Sequence, residues 1–285
     1  MASMTEKKIG NRDDVATSDI FTQSEVEGSV YRDQKITRII VCSMTKPTGP
    51  KSDLHFYHKK LEKDKEGKDR DVDAIYLLRL FKRQTEEGLR DLEVLQDVNY
   101  ATFVGNLKED NTLKEYDSFL FVFLTYLGKD DCGDSGARIH FGDIEVPLTD
   151  IQDMLKSIPA MFGKPKLLLV QADHYDLGVT RQIYPLAPRE EERYKTVKIP
   201  TDADLLIMMS TVSREKTSKA SLLVQAFGDM AAMNMGRARC DQEDFLTLTV
   251  AINARFKELS QQVACAGENV PLPVVTSTLR QLLYL

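Results

Sequence analysis

Gly163-Lys164-Pro165-Lys166-Leu167-Leu168-Leu169-Val170-Gln171-Ala172-Asp173 is the stretch on which the reading of this chain turns. Leu167 to Val170 are apolar without a polar face, the pattern of a strand buried on both sides. Phe119-Leu120-Phe121-Val122-Phe123-Leu124 has the same character and runs into Thr125-Tyr126-Leu127-Gly128. In open α/β sheets, ligands bind beyond the carboxyl ends of the strands. The two segments that follow these strands, around Tyr126 and around Asp173-His174-Tyr175, are therefore where chemistry is expected.

The surrounding pattern alternates strand with helix. Thr37–Ser43 reads as a buried strand, and residues 44–70 as a long polar loop. A helix follows from Val72, with Ile75, Leu78, Leu80 and Phe81 inward and Gly88 as its stop. A weaker helix covers about 100–109, and Thr149 is placed to cap a short one carrying Ile151, Met154 and Leu155. Asp204–Met209 is a further strand. Leu223, Ala226, Phe227 and Met230 mark one helix face, with the methionines near 230–235 as core filling. Phe245, Leu248, Ile252, Phe256 and Leu259 mark another face, with Asp241 as its cap. Pro271–Thr276 is a late strand whose two prolines favour an edge. Such alternation implies a mostly parallel sheet covered by helices.

Composition bounds the function. At 285 residues the chain buries enough apolar surface to need no disulfide or metal for stability. A net charge of −6 argues against nucleic acid as a partner. No apolar run approaches the roughly 20 residues of a membrane span. The polar start Met1–Lys8 lacks a signal-peptide core, and Ala2 stands where myristoylation needs glycine. Cys42, Cys132, Cys240 and Cys265 are widely spaced with no C-x-x-C pair, which suits a reducing cytoplasm. His55 and His58 have no cysteine pair beside them and read as solvated side chains, so neither metal nor cofactor is expected.

Several segments resemble the caspase family, in the family's order. Asp71-Val72-Asp73-Ala74 is similar to its Asp-Val-Asp-Ala segment, and Asp117–Leu124 to the strand that leads into its Ser-His-Gly. Gly163-Lys164-Pro165-Lys166 with Gln171-Ala172 resembles the approach to its catalytic cysteine. Ile199–Asp204 with Ser210-Thr211 resembles the start of its small subunit, and Pro273–Leu279 the final strand and tail. The resemblance implies an α/β fold, a caspase-like three-layer αβα sandwich around a central, mostly parallel six-stranded sheet. It divides the chain into a short flexible N-terminal segment (1–35), a large-subunit-like part (36–175), an intersubunit linker (176–197) and a small-subunit-like part (198–285). The two parts form one domain. The N-terminal segment is too short for an adaptor domain, as in effector-type members.

The site that the resemblance maps onto this sequence is altered. The family signature is Q-A-C-[RQG]-G, with the histidine about 50 residues upstream. Here Asp173 stands at the cysteine position, followed by His174 and Tyr175. The histidine position falls on Tyr126, 47 residues upstream, or on Leu127 if one residue is inserted. The nearest histidine in the segment that follows is His140. A thiolate must attack the peptide carbonyl while a histidine moves the protons. A carboxylate attacks amides poorly, and a phenol with an ordinary pKa near 10 is a poor acid–base partner. Loss of both members of such a pair costs on the order of a million-fold in rate.

Caspases hold the substrate's aspartate with two arginines and a glutamine. Gln171 matches the glutamine. Gly67 occupies the first arginine's place, six residues before Asp73, with Arg70 out of register. Arg214 is the one arginine in the loop that follows Ser210-Thr211, and that loop is shorter than the family's. Both arginines read as ordinary solvated surface residues. Activating cleavage needs aspartates in the linker, and none lies between Leu177 and Thr201.

The function implied is an inactive homologue that regulates active caspases. Its partner would be an active paralogue, or a second copy of itself, paired through the last strand at Val274, Val275 and Thr276. One alternative is a peptidase built on different residues, with Cys132 and His174 as a thiol–imidazole pair. Another is a peptide-binding scaffold unrelated to caspases.

Overall fold

The computed structural model describes residues 37–45, 61–64, 66–127, 137–174, 204–212, 220–263 and 270–284. The N-terminal segment, the linker, His55, His58, Cys132 and Arg214 lie outside the described residues.

Six strands form the main path of one sheet: β1 (Thr37–Ser43), β4 (Arg90–Gln96), β5 (Ser118–Leu127), β8 (Lys166–His174), β9 (Leu205–Ser210) and β10 (Val274–Ser277). Their order is β10-β9-β8-β5-β1-β4, parallel throughout except for β10, which runs antiparallel to β9. β5 lies near the middle, and all ten of its residues are buried. That explains its uninterrupted apolar run, because both faces meet helices.

The helices divide between the two faces. Phe119, Phe121 and Phe123 of β5 meet Phe103 and Leu107 of α2 (Tyr100–Glu109) and Ile151, Met154 and Leu155 of α3 (Leu148–Lys156). The alternate residues Leu120, Val122 and Leu124 belong with Leu77 and Phe81 of α1 (Val72–Glu86), Leu223 and Phe227 of α4 (Leu222–Met235), and Ile252 and Phe256 of α5 (Phe245–Val263). The Phe103 ring sits edge-on to both Phe121 and Phe123. Each such side chain, fully buried, is worth about 1.5–3 kcal/mol. The expected three-layer arrangement with a mostly parallel sheet is the one observed.

Details differ from the sequence expectation for physical reasons. The last strand begins at Val274, because Pro271 and Pro273 have no N–H to give the ladder; pairing starts at Val274 opposite Met209. β9 begins at Leu205, because Asp204 adopts a left-handed φ of 78°. In α1 the inward leucine is Leu77; Leu78 and Leu80 are half-buried. α3 opens at Leu148 directly after Pro147, so Thr149 lies inside the helix and does not cap it. Asp241 ends a short 3₁₀ turn, and it is Asp244, next to the first helical residue, that accepts the N–H groups of Leu246 and Thr247. Met230 and Met235 pack on the core, whereas Met233 is exposed.

Two features escaped the pattern. The polar loop before α1 contains a small hairpin, β2 (Leu61–Lys63) with β3 (Asp69–Asp71), separate from the main sheet. A second hairpin, β6 (Arg138–His140) with β7 (Glu145–Pro147), attaches to the end of β5 through Leu127 and Ile139.

Candidate functional site

The parallel register carries the two singled-out positions together. Tyr126 of β5 pairs with Asp173 of β8, and Gln171 pairs with Ser210 of β9. All four side chains are buried at the carboxyl ends of their strands.

Tyr126 is locked in place. Its hydroxyl donates to the carbonyl oxygen of Thr45 at 3.0 Å. Thr45 is itself clamped by Asp97, whose carboxylate accepts its backbone N–H at 2.7 Å and its hydroxyl at 2.6 Å. Asp97 takes a left-handed φ of 50°, a conformation aspartate tolerates better than most residues. Its own N–H donates to the carbonyl of Ser43. The ring of His140 stands edge-on to Tyr126, 6.1 Å between centroids. The backbone carbonyl of His140 accepts the Thr125 hydroxyl at 2.7 Å. A phenol held this way by its own hydroxyl is a structural post, and its proton is already committed to a backbone acceptor.

Asp173 is held from its own strand. Gln171 lies two residues earlier, on the same face, and its amide nitrogen donates both to Asp173 Oδ1 and to the carbonyl oxygen of Val212, the latter at 2.8 Å. Val212 follows β9, so this amide ties β8 to the segment leaving the neighbouring strand. Gln171 Oε1 is buried and meets no donor among the described residues.

The remaining positions are placed as follows. Gly67 sits in the turn of the β2–β3 hairpin at φ 78°, where any residue with a side chain would be strained. Arg70 is engaged by Asp64 across that hairpin. The hydrogen bond from Arg70 holds the Asp64 carboxyl below its usual range. Val274 and Val275 are half-buried and Thr276 is exposed; all three lie on β10, whose outer edge has no partner strand among the described residues.

No described cysteine stands at the ends of β5 and β8. Cys42 is sealed in β1, and burial pushes its thiol up, away from the reactive thiolate. Cys240 is exposed on the 3₁₀ turn between α4 and α5. No cluster of metal-ligating side chains occurs among the described residues. Sequence reasoning missed Thr45, Asp97 and Val212. The first two follow the ends of β1 and β4, the signal a parallel sheet offers, but that signal is readable only once β4 is recognised.

A family model described as the caspase domain matches residues 55–284. The fold is similar to the solved structure of pro-sf-caspase-1, at 19% identity and a TM-score of 0.59, over 90% of this chain and 98% of that one. It is equally similar to the crystal structure of caspase-1 from Spodoptera frugiperda: 19% identity, TM-score 0.59, 90% of this chain and 92% of the other. No curated protein matches the chain in sequence.

Proposed function

Since this chain belongs to the caspase family, we propose that it is a catalytically inactive member that regulates active caspases, and through them apoptosis, by pairing with an active paralogue. The observation that carries this reading is the paired register of Tyr126 and Asp173. The resemblance in sequence maps the family's histidine and cysteine onto these two positions. Together they offer a phenol bonded to a backbone carbonyl and a carboxylate bonded to an amide. Neither supplies the thiolate and the proton carrier that peptide cleavage needs.

Binding is the remaining route to function. Among the described residues the outer edge of β10 has no partner strand, and such an edge can recruit one. A partner strand laid along Val274, Val275 and Thr276 would extend the sheet from one subunit into the next. Pairing of this kind serves either to order an active partner's loops or to sequester it. A coupling of about 1–3 kcal/mol is enough for regulation in either direction. A second copy of this chain is the competing occupant of the same edge.

The reading treats residues 36–175 and 198–285 as large- and small-subunit-like parts of one domain, supported by the parallel pairing of β8 with β9. It places the protein in the cytoplasm, in keeping with the free thiols of Cys42 and Cys240. Among the described residues, no helix is long and apolar enough to cross a membrane. Co-purification of the full chain with active caspase paralogues tests the proposal. A stable mixed dimer with one of them is expected, and failure to form one with any would overturn it.

A further inference from the structure

Arg90, the first residue of β4, is only 8% exposed, yet among the described residues no carboxylate pairs with it. Its Nε and Nη1 are sealed and meet no acceptor there. Its Nη2 donates to the thioether sulfur of Met235, the last residue of α4, at 3.7 Å, and the guanidinium lies over the Phe81 ring. Burial lowers its pKa to about 10, so it is still a cation at neutral pH. A buried charge of this kind is costly unless a good acceptor meets it.

A second donor reaches the same sulfur. Gln84, near the end of α1, donates from Nε2 to Met235 Sδ at 3.5 Å. A thioether can only accept, so the NH₂ end of the amide faces it. Two strong donors, one of them charged, thus share one of the weakest acceptors a protein offers. Hydrogen bonds from a charged donor to an oxygen are roughly twice as strong as neutral ones, and that strength is unused here.

We infer that Met235 is a site of oxidation by hydroperoxides, and that Arg90 and Gln84 receive the oxygen of the resulting sulfoxide. The S–O bond forms as the O–O bond of the peroxide breaks. The sulfur gives up two electrons, and with hydrogen peroxide the other oxygen leaves as water. Met235 is half-buried at its helix end, which leaves it open to a small peroxide. An oxygen on the sulfur, set beside the two S···N lines, comes within hydrogen-bond reach of both nitrogens. A sulfoxide inside a protein ordinarily disrupts its surroundings. Here the new dipole meets donors that are already desolvated, so the modified protein gains stability. Gln84 and Arg90 precede residues 176–197 and Met235 follows them, so the sulfoxide ties those two stretches of chain together. The inference is independent of the proposed pairing with a caspase.

The test treats the full chain with hydrogen peroxide, maps sulfoxides by peptide mass spectrometry and measures urea unfolding. Met235→Leu, treated identically, accounts for the other methionines, of which Met233 is exposed. Met235 is expected to be oxidised. Treatment is expected to raise the folding equilibrium constant of wild type about tenfold relative to its effect on Met235→Leu. In Arg90→Leu that gain should disappear. No gain in wild type, or a loss, overturns the inference, as does Met235 left unmodified once Met233 is fully oxidised. A gain that persists in Arg90→Leu also overturns it, because the guanidinium would then not receive the oxygen. Should Arg90→Leu fail to fold, Met235→Gln decides, since its side-chain oxygen stands in for that of the sulfoxide. It is expected to be more stable than Met235→Leu, and equal or lower stability would overturn the inference.

Discussion

The carboxyl ends of β5 and β8 and the outer edge of β10 belong to one sheet and have opposite character. At the first, Tyr126, Gln171, Asp173 and Ser210 are sealed inside, and Tyr126 and Gln171 donate to backbone carbonyls of neighbouring segments. At the second, a short strand of valines and hydroxyl residues leaves one row of backbone groups unpaired among the described residues. The sheet end where an α/β fold places its ligands is filled by its own side chains. The edge at which we propose that a partner strand pairs has none among the described residues. Burial at the first location makes its residues costly to remove, while exposure at the second makes its residues cheap to change for stability, and the proposed pairing would be decided there.

The sharpest way to break that contrast is Tyr126→Ala. The side chain is fully buried and hydrogen-bonded, so its loss is expected to cost about 3–5 kcal/mol of unfolding free energy, read from the urea midpoint. A cost below about 1 kcal/mol would show a looser site than the one described. Gln171→Ala comes next. It strips the donor from the Val212 carbonyl and from the Asp173 carboxylate, at about 1–3 kcal/mol.

Cys42 supplies a pH test of the sealed interior. Its pKa is raised by burial, so the native thiol stays protonated while the unfolded thiol ionises near its ordinary value. The stability this gives is complete below that value and is lost as pH rises through it, at about 1.4 kcal/mol per pH unit beyond about pH 8.5. Unfolding measured from pH 8 to 10 should show this slope in wild type and a shallower one in Cys42→Val. Equal slopes would mean that the thiol is not sealed.

At the open edge, Thr276→Lys should change stability by no more than about 0.5 kcal/mol, as exposed substitutions do. The same change is expected to weaken strand pairing with another subunit, visible by size-exclusion light scattering. The smallest expected effect is that of Asp173→Cys on peptidase activity. A thiol placed opposite Tyr126 has no imidazole there to move its proton, so no cleavage above the wild-type level should appear with fluorogenic aspartate peptides.

Much of this was readable from residue order, and the reasons it stopped are physical. β1 and α2 end where periodicity placed their ends, because apolar runs bounded by polar segments report burial directly. β5 and β8 run further than their apolar cores suggest, since strand geometry continues through Thr125, Tyr126, Gln171 and Asp173 once each finds a polar partner. β4 was not legible: Arg90-Asp91-Leu92-Glu93-Val94-Leu95-Gln96 is a half-buried edge strand whose charges mask its alternation. That the resemblance puts Asp173 and Tyr126 at the family's cysteine and histidine positions could be read in the sequence. What now holds those two side chains could not, because the clamp of Asp97 on Thr45 joins residues 52 apart in the chain.

The central claim is tested most directly by titrating this chain into a purified active caspase paralogue and following the rate of peptide cleavage. A rate that rises or falls and levels off at one chain per partner subunit is the predicted result, with this chain alone cleaving nothing. A rate that stays flat across the titration, or cleavage by this chain alone that disappears in Cys132→Ser, would contradict it.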